Sequence, residues 1–272
     1  MIRGAIVGGG AAGVLAAIHL RRSKPDAQIT LIDASGCPAT GAAYGTTDPS
    51  HLLNVPAPRM SVWPDDPDHF CRWLDDHAVA TLEGFAPRLA YGRYLREQLG
   101  PARVRIETAE VVGLVPGVSP VLSLRGGRTL SADAVILAAG RPEGSMPESL
   151  DRAFAPVLAD GPTDKIVVDP WAAGALSCLD KRRPASVVVI GSGLTGVDVA
   201  LHVIARGATV TMVSRHGSLP KRFRAMPPLT ELPNLDALPG EVALEQLRDA
   251  FAADLTRAKE EGADWRQVID GL

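Results

Sequence analysis

AIVGGGAAGVLAAIHLRRSKPDAQITLID, residues 5–33, is the stretch on which the fold turns. Residues 2–7 are an apolar run of strand type. Residues 11–22 have helical character and end on Arg21 and Arg22, where positive charge suits the C-terminal end of a helix dipole. Ile29–Ile32 is a second strand. This is a β-turn-α-β unit, and it predicts two parallel strands joined by a crossover helix. The turn carries Gly8, Gly10 and Gly13 at G-x-G-x-x-G spacing. Gly8 permits a tight turn, Gly10 lets the backbone approach a pyrophosphate, and Gly13 lets the helix pack close to the strand. The helix N-terminus supplies N–H groups and positive potential to a phosphate. Asp33 ends the second strand 20 residues after Gly13, where a carboxylate accepts hydrogen bonds from a ribose hydroxyl.

The pattern recurs. VVVIGSGLTG (residues 187–196) runs a strand at 187–190 into Gly191, Gly193 and Gly196, with a helix expected over 194–206 and a strand over 208–213. Here the second strand ends at Ser214-Arg215, 19 residues after Gly196, and no acid stands where Asp33 stood. A carboxylate would repel a 2′-phosphate, whereas an arginine binds one bidentately. The second loop therefore reads as NADP(H)-preferring, with Ser214 and Arg215 at the 2′-phosphate and His216 near the adenosine. Lys221, Arg222 and Arg224 add positive charge nearby. Asp198 is expected in the first turn of that helix, where it suits the dipole. One such loop implies a nucleotide; two in one chain imply a relay between two nucleotides.

Composition agrees with this class. The chain has 272 residues, 46% of them apolar and 22% charged, which suits one large domain or two ordinary ones. A net charge of −3 argues against a nucleic-acid binder. Cys37, Cys71 and Cys178 form no CxxC pair and no metal-ligand spacing, so neither a disulfide framework nor a metal site is expected, and a reducing cytoplasm is. Arg3 and the Ala-rich run to Ile18 imitate a secretory leader, but three consecutive glycines would weaken its helix. No run of about 18 apolar residues predicts a membrane span.

Between the loops, residues 36–67 break into a Pro-rich segment. Helices are expected over 69–77 and 88–99, and short strands over 104–106, 110–114, 121–124 and 134–138. Residues 141–186 show little periodicity. Residues 217–240 are again Pro-rich, and 241–261 read as an amphipathic helix with Leu244, Leu247, Phe251 and Leu255 on one stripe.

TLSADAVILAAG (residues 129–140) resembles the segment that closes the FAD domain of two-dinucleotide flavoproteins, with Gly140 passing close to the cofactor. GAAYGTTDPSHLLNVPAPRMSVWPDDPDHFCRWL (residues 41–74) closely resembles a broad family of FAD/NAD(P)-binding flavoproteins that share an AYG turn, an HLLNVPA segment and a PDDPxHFxxWL stretch; FAPRLAYGRYL (residues 85–95) fits the same family. The resemblance spans essentially the whole chain. It implies an α/β fold of two Rossmann-like dinucleotide-binding domains, laid out as in flavoprotein disulfide reductases but without redox cysteines. FAD sits on the first loop and NADPH on the second. Residues 1–165 are then the FAD-binding domain, 166–186 a linker, and 187–272 the NAD(P)-binding domain with its C-terminal helices. Gly41, Tyr44, His51, Asn54, Arg59 and Met60 lie on the segment expected to run along the flavin, with His51 and Asn54 as hydrogen-bonding candidates for the ring or a substrate.

The chain also departs from known patterns. IVVDPWAAGAL (residues 166–176) lacks the histidine of the monooxygenase fingerprint that would precede the second loop. The chain ends at Leu272, just after a helix, and so reads as the N-terminal part of a longer protein. The resemblance implies a FAD-dependent, NADPH-using oxidoreductase that passes hydride to the flavin and then to oxygen or another acceptor. Its partner is a small-molecule substrate or electron acceptor, with neither nucleic acid nor membrane. No catalytic residue is assigned; His19, His69, His77 and His202 fall on expected helices and read as structural. Two alternatives stay open: a nucleotide-binding regulatory protein without turnover, and an NAD-binding protein whose second loop is vestigial.

Overall fold

The computed structural model describes residues 2–140, 145–158, 165–172, 174–221, 229, 231–239, 242–263 and 267–268. The chain divides into two compact units, 1–219 and 220–272.

The first unit opens with β1 (Arg3–Val7), α1 (Ala11–Ser23) and β2 (Gln28–Asp33). β1 and β2 pair in parallel from Arg3↔Gln28 to Val7↔Ile32. β3 (Arg105–Thr108) joins β2, and β7 (Ala134–Leu137) joins β1, giving a parallel sheet of order β3-β2-β1-β7. A parallel sheet is stable when both faces are covered, and the period-2 alternation of β1 and β2 shows how this is done. Ile6, Ile29 and Leu31 face α1 and its buried Val14, Ala17 and Ile18. α2 (His69–Asp76) and α3 (Arg88–Leu99) add Phe70, Trp73, Tyr91, Tyr94 and Leu95 to that core. Ala5 and Ile32 point the other way, onto Leu122, Leu124 and Ala132. Those residues belong to an antiparallel layer of β4 (Val111–Val115), β5 (Val121–Leu124) and β6 (Thr129–Ser131), or follow it.

Residues 141–186 differ from the expectation. α4 (Glu148–Leu158) and α5 (Ser177–Arg182) lie within them. Leu150, Ala153, Phe154 and Val157 do repeat at helical spacing, with Glu148 and Asp151 in the first turn; Pro156 inside the helix masks the pattern. The second nucleotide motif follows as β8 (Ser186–Ile190), α6 (Leu194–Ile204) and β9 (Thr209–Val213), with β8 and β9 parallel from Ser186↔Thr209 to Ile190↔Val213. This pair is thinly covered. Val188, Ile190 and Val213, and Leu201 and Ile204 on α6, are each about half exposed or more.

The second unit contains α7 (Pro233–Asp236) and α8 (Leu244–Glu260). The expected stripe on α8 holds only at its C-terminal end. Phe251 and Leu255 pack with Leu232, Ala258 and Val268, whereas Leu244 and Leu247 are exposed. The face is completed by a carboxylate: Asp254 is fully buried and accepts hydrogen bonds from the side chain of Asn234 and the amide of Leu235. Lys221 is exposed, while Arg222 and Arg224 lie outside the described residues. No described helix is long and apolar enough to cross a membrane.

Candidate functional site

The two glycine loops have the same backbone. Gly8 and Gly191 both sit at φ 104°, a left-handed value that glycine adopts without strain. Gly10 and Gly193 are the N-caps of α1 and α6, at φ −68°, ψ −176° and φ −72°, ψ 177°. The first intrahelical bonds run from Val14 N–H to the Gly10 carbonyl and from Val197 N–H to the Gly193 carbonyl, both at 3.0 Å. The preceding amides have no acceptor in the helix and point out of its end. Close packing explains the third glycine of each set. A Cβ at Gly13 would lie 1.9 Å from the Gly8 oxygen, and one at Gly196 would lie 2.3 Å from the Gly191 oxygen. The middle position is open. A Cβ at Gly10 meets only Gly41 Cα at 4.0 Å, and one at Gly193 meets nothing within 4 Å. These are gaps against bare backbone at a helix N-terminus, the shape into which a pyrophosphate fits.

Asp33 stands at the first loop. Its Oδ1 accepts the Gly9 N–H at 3.2 Å and its Oδ2 accepts the Ser35 hydroxyl at 2.5 Å, which fixes the carboxylate at the mouth. Gly9 went unassigned in the sequence. A Cβ there would sit 2.6 Å from Asp33 Cγ, so the middle one of the three consecutive glycines makes room for the acid. Ala39 N–H reaches the Gly9 carbonyl at 2.7 Å, and this brings Gly41 against Gly10. Gly140 follows β7 with φ 74°. At the second loop, Ser214 follows β9 half-buried, and Arg215 and His216 are exposed.

The segment 41–60 does not lie on the loops as one strip. Asn54 is exposed and Arg59 exposed, whereas Met60 and Tyr44 pack partly against the core. Tyr44 meets Tyr91 edge to face at 4.8 Å, and burial pushes its hydroxyl pKa up. His51 is only 1% exposed and stands edge-on to Trp171 at 5.3 Å, not at an open surface.

His51 instead belongs to a polar cluster that joins the two nucleotide motifs. Arg88, at the start of α3, donates its Nε–H to the Leu52 carbonyl and a guanidinium N–H to Asp198 of α6, at 2.8 and 2.7 Å. Its guanidinium also covers Trp171, and its amide bonds the His51 carbonyl. Asp198 is thus a buried ion-pair partner, and the dipole role expected for it is corrected: it lies beyond the first turn. Burial pushes its carboxyl pKa up, with Arg88 opposing. His202 of α6 is likewise more than a helix-face residue. Its Nδ1 is 2.5 Å from Asp48 Oδ2 and its Nε2 is 3.2 Å from Asp180 Oδ1 on α5. Arg206 bridges the same two acids. The partners of these pairs are separated by up to 154 residues, and nothing in local sequence periodicity marks them.

Known proteins share this architecture. The flavin monooxygenase from Stenotrophomonas maltophilia superposes with a TM-score of 0.53 at 24% identity, over 79% of this chain and 57% of its own. The ornithine N-hydroxylase from Kutzneria sp. 744 gives 0.58 at 15% identity, over 97% and 70%. A cyclohexanone monooxygenase gives 0.53 at 17% identity, over 96% and 45%. At these identities the likeness is one of fold. The chain spans 57% of the length of the first of these enzymes and 45% of the last. No curated protein matches the chain in sequence. The profile of a family described as FAD-NAD(P)-binding matches residues 5–142, half of the chain, from within β1 through the first loop and the antiparallel layer to β7; the chain belongs to that family.

Proposed function

We propose that the chain is the dinucleotide-binding part of a FAD-dependent, NADPH-using oxidoreductase, with FAD on Gly8, Gly10, Gly13 and Asp33 and NADPH on Gly191, Gly193, Gly196, Ser214 and Arg215. Residues 1–165 are the FAD-binding domain, 166–186 connect, and 187–272 carry the NAD(P) side. The observation that carries the reading is the pair of loops with one backbone geometry and different chemistry after the second strand: Gly8 N–H bonds the Ile32 carbonyl just before Asp33, and Gly191 N–H bonds the Val213 carbonyl just before Ser214 and Arg215. The outward amides of α1 and α6 hold the pyrophosphates, Asp33 orients a ribose, and Arg215 selects a 2′-phosphate. When bound, the flavin supplies the redox chemistry, accepting hydride from the nicotinamide and delivering reducing equivalents to oxygen, with hydroxylation of a small molecule, or to another acceptor. The protein contributes position and charge. Gly41, which lies against Gly10, and Gly140, which follows β7 beside β1, flank the FAD, with Tyr44, Asn54 and Met60 as further contacts from the 41–60 segment. Three free cysteines fit a reducing cytoplasm.

The test is anaerobic addition of NADPH, and separately NADH, to chain loaded with FAD, following the flavin absorbance. Bleaching by NADPH in preference to NADH is expected. Bound flavin that never bleaches would indicate a binding protein without turnover. Failure to bind FAD alongside tight NAD binding would move the first loop to NAD.

A further inference from the structure

The polar cluster between the two nucleotide motifs carries more than an ion-pair network needs. One donor atom from each of Asp48, His51 and His202 lies within 4.8 Å of the other two, and both histidines are buried. We propose that Asp48, His51 and His202 bind a zinc-type divalent cation as a two-histidine, one-carboxylate set, joining the loop after β2 to α6.

Two of the three ligands, His51 and Asp48, hold one atom on a partner outside the set. The Nδ1 of His51 is 2.7 Å from the Thr46 hydroxyl, and its Nε2 has no hydrogen-bond partner although the ring is 1% exposed. Leaving a buried ring nitrogen unsatisfied costs about 1–3 kcal/mol, so such an atom points to something that satisfies it. In His202 the Nε2 has no hydrogen-bond partner, with Asp180 Oδ1 at 3.2 Å, and the Nδ1 is 2.5 Å from Asp48 Oδ2, a contact that the shared cation would replace. Asp48 Oδ1 is fixed by the Ser50 amide and hydroxyl at 2.9 and 2.6 Å, which leaves Oδ2 facing the cluster. Metal-binding histidines ordinarily anchor their second nitrogen in this way, on a carboxylate or other acceptor. Tetrahedral zinc at about 2.0–2.2 Å places its donors roughly 3.3 Å apart, within a small rotation of the three side chains from the present 4.8 Å limit.

Charge permits a dication. Asp48, Asp180 and Asp198 are opposed by Arg88 and Arg206, so the surroundings carry one net negative charge with neutral imidazoles. Two imidazoles and one carboxylate favour zinc, cobalt or nickel over magnesium or calcium. Trp171 lies against His51 and limits water. The competing arrangement is metal-free, with His202 held between Asp48 and Asp180.

The experiment strips the 272-residue chain with chelator, then titrates Zn2+, with Co2+ as the spectroscopic probe. One equivalent of Zn2+, a Co2+ ligand-field band of tetrahedral intensity and no displacement by excess Mg2+ are expected. Asp180→Asn, in half-exposed α5, should retain the fold by circular dichroism and bind 10–100-fold more weakly, the usual loss for an outer-shell partner. His51→Gln and His202→Gln should abolish the Co2+ band. Substoichiometric uptake by the stripped chain, or the same affinity in Asp180→Asn and the histidine variants as in the parent, overturns the assignment and leaves the metal-free ion network. None of these readouts depends on flavin or turnover, so they stand or fall apart from the proposed function.

Discussion

Replacing Gly13 by alanine tests whether the first loop is as tightly built as it looks. In an ordinary helix position this change stabilises by about 0.8–1 kcal/mol through helix propensity. At Gly13 the new Cβ would lie 1.9 Å from the Gly8 oxygen, and real Cβ atoms essentially never come within 3.0 Å, so α1 must retreat by about 1 Å or the turn must open. α1 is not free to retreat without loss, because Val14, Ala17 and Ile18 are packed against Ile6, Ile29 and Leu31. Overpacking of this kind costs about 1–3 kcal/mol, which outweighs the propensity gain and leaves a net loss of up to about 2 kcal/mol. For a body of this size each kcal/mol moves Tm by about 2–4 °C, so Gly13→Ala should melt below the parent, by up to about 8 °C. Gly196→Ala, with its Cβ 2.3 Å from the Gly191 oxygen, should lose stability in the same direction. Gly117→Ala, where nothing lies within 4 Å, should stay within about 0.5 kcal/mol. Circular-dichroism melts of the three variants decide it. A rise in Tm for Gly13→Ala would mean that α1 and the turn are loosely joined, and the close-packing account of the third glycine would be wrong.

Arg88→Met leaves Asp198 buried and uncompensated and should cost about 3–5 kcal/mol, while the double variant Arg88→Met, Asp198→Leu should recover most of it; a denaturation double-mutant cycle measures the coupling. Gly9→Ala drives a Cβ to 2.6 Å from the Asp33 carboxyl and should strip FAD from the purified chain, read as loss of flavin absorbance with the fold retained. Arg215→Ala should weaken NADPH by about 1–3 kcal/mol and leave NADH nearly unchanged; equal losses for both would remove Arg215 from the 2′-phosphate. In the second unit, burial would raise the pKa of Asp254, but the Asn234 side chain, the Leu235 and Asn234 amides and Arg257 outweigh it and hold the carboxyl below its usual range. A depressed folded pKa gives stability that is present above the unfolded value near pH 3.9 and lost as pH falls through the folded one. Acidification below about pH 4 should therefore loosen α8 in the parent, and Asp254→Asn should start weaker with a flatter acid profile by circular dichroism.

The glycine loops were legible because everything they need is local. Turn, helix start, strand and acid fall within 29 consecutive residues, each with its own steric or electrostatic signature. The same holds for α3, whose bounds agree at both ends, and for Asp33 at the end of β2. Gly9 escaped because its role is to spare a side chain 24 residues away, outside the fingerprint's own logic. Asp198 and His202 were read from position on a helix alone, whereas their partners Arg88 and Asp48 lie 110 and 154 residues upstream. Hydrophobic periodicity reports which face is buried, not which charge waits there. α8 makes the point in reverse: its buried face includes Asp254, a residue that any apolar template scores as outside.

The unequal covering of the two nucleotide motifs has a kinetic consequence. The amides of β1 and β2 are locked between two apolar layers, so releasing them from their hydrogen bonds requires disassembly of both layers, a near-global event. β8 and β9 carry half-exposed valines and isoleucine on strands that share one ladder, and their opening uncovers little that water does not already touch. The same loop geometry is thus held at two depths of an opening hierarchy. Amide hydrogens behind Gly191 should exchange through small local fluctuations, and those behind Gly8 only when both apolar layers come apart, so two loops of one geometry should differ in the opening that frees them.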